Sequence, residues 1–130
     1  STGAFAGAAI ELLLADYASY LGLLWGSVDL YNTLTFYDGL ASVGSISGGD
    51  VNAAANGDQG ANGTFYVNIF SDLLFNRVVA TSRQYAFEFD NVARNSVPEP
   101  ISLALLGFGL AGPGYAKTSG RRRNAIVRLN

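Results

Sequence analysis

Cysteine and histidine are both absent from the 130-residue chain. No disulfide framework can form, and the Ser-His and Cys-His nucleophile pairs, zinc sites built on His or Cys, and the common forms of haem ligation are all excluded. Charge is sparse at 14% of residues, tryptophan occurs once and proline three times. No methionine opens the chain and no basic-then-apolar leader follows, so Ser1 is expected to lie after a cleavage point or a missing start.

The charge that is present is unevenly placed. Residues 1–99 carry all ten acids against Arg77, Arg83 and Arg94, a balance of −7, and residues 100–130 carry five basic residues and no acid, +5. The net −2 therefore conceals an acidic body and a basic end. One domain of about a hundred residues with a tail is the natural division.

In the body the hydrophobic period is two. Tyr85, Phe87 and Phe89 alternate with Glu88 and Asp90, and Phe65, Val67 and Ile69 and the run Leu21, Leu23, Trp25 repeat the pattern. Leu34 and Phe36 lead to Asp38-Gly39, a hairpin signal before a strand at 42–47. Segments at 10–14 and 74–82 complete about seven short strands, although Ile10, Leu13, Leu14 and Tyr17 also fit a helical stripe. Strands punctuated by turns, without a long amphipathic helix, predict an all-β antiparallel β-sandwich over residues 1–95.

The C-terminal third is organised differently. Pro98, Glu99 and Pro100 form an extended linker at 96–100, because each proline excludes helix from the residue before it. Residues 101–116 contain no charged side chain, and as a hydrophobic helix of about 16 residues they would reach roughly 24 Å against a hydrocarbon core of about 30 Å. Pro113, between Gly112 and Gly114, would kink or end that helix early. In the basic tail at 117–130, Lys117, Arg121, Arg122 and Arg123 oppose translocation and act as a membrane stop, leaving everything before Pro98 outside the cell. A nucleic-acid role is disfavoured, since the arginine cluster is a small footprint with no aromatic or lysine-rich face.

Pro98-Glu99-Pro100, the run Leu103-Ala-Leu-Leu-Gly-Phe-Gly-Leu-Ala-Gly112 and the arginine cluster, in that order, resemble the C-terminal sorting signal of the PEP-CTERM surface proteins. The body is similar to these proteins as well, at Tyr20 to Asp29, Tyr31 to Gly39, Asn56 to Gly60 and Tyr85 to Asn91. The resemblance implies an exported, non-catalytic protein of the cell surface, extracellular matrix or biofilm, with a jelly-roll-like sandwich. A membrane-embedded exosortase would recognise and process the tail, passing through a transient inner-membrane form, and cysteine chemistry would belong to that enzyme.

Other constellations point elsewhere. Glu88 and Asp90 sit two apart on a strand, a spacing near that of inverting glycosidases, but alternating acids opposite Phe87 and Phe89 are more simply the wet face of a sheet. Asp50, Asn52 and Asp58, with Asn56, Gln59 and Asn62 nearby, place oxygen ligands on a glycine-rich loop that could hold calcium, though ordinary turns select the same residues. Asn62-Gly63-Thr64 fits a glycosylation acceptor and is read as a turn. Tyr17, Tyr20, Trp25, Tyr31, Tyr37 and Tyr66 could form a polysaccharide-stacking platform, making a carbohydrate-binding module one rival. A self-assembling filament subunit that keeps its tail is the other.

Overall fold

The computed structural model describes residues 9–84, 87–98 and 123–129. They form one mostly antiparallel sheet of six strands: β1 (Ala9–Gly26), β2 (Asn32–Asp38), β3 (Ala41–Ser47), β4 (Phe65–Ser82), β5 (Glu88–Arg94) and β6 (Arg123–Leu129). The strand order is β3-β2-β4-β1-β5, with β6 parallel to β4. A one-turn helix, α1 (Gly48–Val51), and a 3-10 turn at Ala61–Gly63 lie between β3 and β4.

The short strands expected at 10–14 and 21–25 are two ends of β1, and those at 65–69 and 74–82 are two ends of β4. Each long strand changes phase midway. In β4 the buried positions are Phe65, Val67, Ile69 and Ser71, then Phe75, and then Val78, Ala80 and Ser82, so the inward face moves from odd to even numbers. β1 compensates, with Ile10, Leu12 and Leu14 partly buried before the switch and Leu21, Leu23 and Trp25 buried after it. Irregular register between Leu13 and Tyr20 absorbs the change, as bulges do by bending a strand and re-aiming its side chains. The helical stripe through Ile10 and Leu13 does not form, for Leu13 is 69% exposed.

In place of two stacked sheets of a jelly-roll-like sandwich, the structure has one continuous sheet, because β1 and β4 stay hydrogen-bonded across the bend. Both ends of each long strand contribute to a single core. A small apolar gap of about 20 Å³ is lined together by Ile10 and Leu12 from one end of β1, Leu21 and Leu23 from the other, and Val78 and Ala80 of β4. Trp25 stacks on Phe87 at 4.6 Å between ring centroids, and Phe36 meets Phe75 edge-on at 4.9 Å. Full burial of such side chains stabilises by about 1.5–3 kcal/mol each.

The hairpin between β2 and β3 turns at Gly39 and Leu40. Gly39 takes φ +60° at the first central position, the left-handed conformation demanded by a tight turn that follows the strand twist. At the bend, Arg77 pairs with Glu11 at 3.3 Å and lies over the Tyr37 ring at 4.0 Å.

The sheet extends past residue 95, through Val97 on β1 and through β6 on β4. Among the described residues no helix is long and apolar enough to cross a membrane. The hydrophobic helix expected at 101–116 lies outside the described residues.

Candidate functional site

Val97 and Arg123 are the described sheet residues on either side of the tail, and these two places frame it. Asn95 prepares the exit. Its side-chain Oδ1 accepts the backbone N–H groups of Ser19 at 2.9 Å and Tyr20 at 3.1 Å, and its Nδ2 donates to Ser19 Oγ at 2.8 Å. These donors belong to the irregular part of β1, so the amide occupies the place a neighbouring strand would otherwise take. Ser96 Oγ then donates to Asp16 Oδ2 at 3.0 Å. Val97 is 1% exposed, and its N–H donates to the Tyr17 carbonyl at 2.7 Å.

Pro98 follows immediately and is exposed. It borders an open cleft of about 240 Å³ together with Ala15, Asp16, Tyr17, Asn76 and Val97. The first proline of the Pro-Glu-Pro triplet is thus delivered to the surface from a fixed point, because Val97 cannot move without breaking its bridge to Tyr17 and exposing its buried side chain. Glu99, Pro100, Lys117, Arg121 and Arg122 lie outside the described residues.

Arg123 opens β6. Its guanidinium donates to Asn62 Oδ1 at 3.0 Å and lies 5.9 Å from the Phe65 ring centroid. The parallel register runs from Phe65 opposite Arg123 to Ser71 opposite Leu129. Leu129 is 2% exposed within the core, Ala125 and Val127 pack against that core, and Ile126 is 78% exposed on the other face. Arg128 and Asp72 form an exposed ion pair at 2.7 Å. The alternation Ala125, Val127, Leu129 was the available signal for this strand, masked by the neighbouring arginines that mark a solvated basic end.

The loop residues considered for calcium are each engaged in local turns. Asp50 Oδ2 accepts Ser47 N–H at 2.8 Å and Ser47 Oγ–H at 3.1 Å, closing α1 as a capping box. Asn52 Oδ1 accepts Ala54 N–H at 3.0 Å, Asn56 Oδ1 accepts Asp58 N–H at 3.1 Å, and Asp58 Oδ1 accepts Gly60 N–H at 2.7 Å. Calcium wants six to eight converging oxygens, whereas no group of three acidic side chains comes together among the described residues. Asp50, Asn52 and Asp58 each close a separate turn.

The loop packs instead on Asp29, which is 4% exposed. A Cβ on Gly48 would lie 1.7 Å from the Asp29 carbonyl oxygen, a distance only glycine permits. Burial pushes the Asp29 carboxyl above its ordinary value, while hydrogen bonds from Tyr31 and from the Asn32 backbone pull it the other way.

Glu88 and Asp90 are both exposed on β5. Glu88 Oε2 accepts Ser27 Oγ–H at 3.0 Å, and Asp90 Oδ1 accepts the N–H of Asn91 at 2.7 Å. Neither lines the apolar gap or the Pro98 cleft. Trp25 is fully buried, Tyr37 is covered by Arg77, and Tyr17 donates its hydroxyl to Asp38 at 3.1 Å, whereas the half-buried Tyr20 leans on Phe70 at 5.2 Å and its hydroxyl meets that of Tyr66 over Gly22. Asn62-Gly63-Thr64 is a turn, with Thr64 Oγ1 donating to the Gly60 carbonyl at 3.1 Å.

Compared with known families, the chain matches the model of the PEP-CTERM protein-sorting motif at residues 96–123. No curated protein and no solved structure matches it. The match begins at Ser96, one residue before the buried Val97, and ends at Arg123, the first residue of β6. The motif marks the chain as an exosortase-targeted secreted protein.

Proposed function

We propose that this chain, carrying a PEP-CTERM sorting motif, is a non-catalytic protein of the cell surface or extracellular matrix, whose tail is the sorting and processing signal for an exosortase. The observation that carries the reading is the motif match, whose Pro98 stands exposed directly after the anchored Val97. A processing enzyme embedded in the membrane needs an extended, accessible segment beside a membrane-seeking run. The Pro-Glu-Pro triplet and the uncharged residues 101–116 supply both.

Nothing in the body requires chemistry of its own for this role. The body would be cargo, held together by one apolar core and displayed after the tail is transferred or removed. Exposed acids on β5 and the acidic balance of residues 1–99 keep such cargo hydrated. A transient inner-membrane form, held by Lys117 and Arg121 to Arg123, precedes processing.

A second reading, a self-assembling extracellular filament subunit that keeps its tail, draws support from β6, which makes the final residues part of the sheet. Intact-mass spectrometry of the protein exported by exosortase-containing cells separates the two. Sorting yields a product ending near Pro98 that disappears when Glu99 is replaced by Ala. Retention of residues 101–130 in the mature surface fraction selects the filament.

A further inference from the structure

β6 begins at the last residue of the sorting segment yet is folded into the body. The motif match ends at Arg123, where β6 begins, and all seven residues of β6 pair with Phe65–Ser71 of β4. If Lys117 and Arg121 to Arg123 remain on the cytoplasmic side while the body is outside, a hydrocarbon layer of about 30 Å separates β6 from β4. Strand pairing requires about 4.8 Å. One molecule cannot satisfy both conditions.

We propose that the β4 edge from Phe65 to Ser71 is a docking site for the chain's own C-terminal strand, filled only when that strand is on the same side of the membrane as the body. Docking of β6 and retention in the membrane are then alternative fates of one tail. This rests on the sorting reading and adds a competing state to it. The docking site is built rather than incidental: Leu129 fills a core position, Ala125 and Val127 cover the sheet, and Arg123 and Arg128 are received by Asn62 and Asp72 at its two ends.

The retained state has a structural consequence. Seven rungs of β4 lose their partner and the position of Leu129 opens, leaving an edge of the kind that accepts another extended segment. Retained molecules are therefore the ones that expose a strand-acceptor surface, and docked molecules hide it.

The absence of cysteine allows a direct test. Asn68 and Ile126 are register partners on adjacent strands, and Tyr66 and Asn124 are a second such pair. The full chain, carrying Asn68→Cys with Ile126→Cys, is exported behind a cleavable signal peptide in a bacterial host lacking exosortase, and its membranes are extracted with alkaline carbonate. A disulfide forms in the oxidising exterior only where both strands are present. The expected result is loss of the linked form from the carbonate-resistant fraction and its recovery in the soluble one. Tyr66→Cys with Asn124→Cys repeats the measurement at an independent rung.

Linked protein in the carbonate-resistant fraction, in the same proportion as in the soluble one, overturns the exclusion and leaves sorting intact. A retained fraction accompanied by no linked protein anywhere, with either pair, overturns the docking site alone. Absence of any retained fraction removes the sorting reading and this inference with it.

Discussion

Val97 donates its backbone N–H to the Tyr17 carbonyl at 2.7 Å, and this bond is the last described tie between the body and the exposed Pro98. It fixes where the sorting motif emerges. The bond depends on the bend in β1, which Asn95 stabilises from one side by accepting the backbone N–H groups of Ser19 and Tyr20.

Asn95→Ala is expected to destabilise the body by about 1–3 kcal/mol, the cost of stranding part-buried donors. Asn95→Asp keeps an acceptor for Ser19 and Tyr20 and should recover most of that loss. Urea unfolding midpoints of the two variants check it, and equal midpoints would remove the role assigned to the amide oxygen.

Leu129→Ala should cost at least about 2 kcal/mol if β6 is docked, since a core side chain is lost. Ile126→Ala, three residues earlier on the exposed face, should change stability by no more than about 0.5 kcal/mol. The contrast is measured on the full-length protein by chemical denaturation. Similar small effects at both positions would show that β6 is not part of the folded unit in solution.

Asp29 gives a pH dependence with a defined sign. Its carboxyl is raised above 3.8 by burial, so it contributes stability below that value and loses it as pH rises through the folded-state value. Asp29→Asn keeps an oxygen for the Tyr31 N–H and carries no charge. Its melting temperature relative to the parent should therefore rise between about pH 4 and pH 7. A difference that stays flat or falls over that range contradicts the assignment.

Two glycine substitutions separate space from conformation. Gly39→Ala meets no atom within 4 Å but must adopt φ +60°, a cost of about 1 kcal/mol. Gly48→Ala would drive its Cβ into the Asp29 backbone, so the loop must move. Thermal melting should show a modest loss for the first and a much larger one, or failure to fold, for the second.

Calcium addition and chelation should leave the melting temperature unchanged, because the oxygens of Asp50, Asn52 and Asp58 serve separate turns. A calcium-dependent rise in melting temperature would require those turns to reorganise around the ion.

Much of the sheet was legible from alternation alone. Phe65, Val67 and Ile69 and the series Leu21, Leu23, Trp25 are buried on the faces their spacing assigns, and Asp38-Gly39 turns the chain between β2 and β3. Such local features depend only on which side of a strand a residue faces. The continuity of β1 and β4 was not legible, because the phase switch at their midpoints looks like a break between strands.

The sorting segment is a property of the sequence itself: the prolines, the uncharged run and the arginines each act through their own backbone or solvation preferences, whatever the body does. The place of β6 belongs to the tertiary structure alone. A parallel strand must find its partner through a long excursion of the chain, and no pattern within Arg123–Leu129 specifies that partner as Phe65–Ser71. Only the assembled core, with a position shaped for Leu129 and Asp72 placed to meet Arg128, makes that choice.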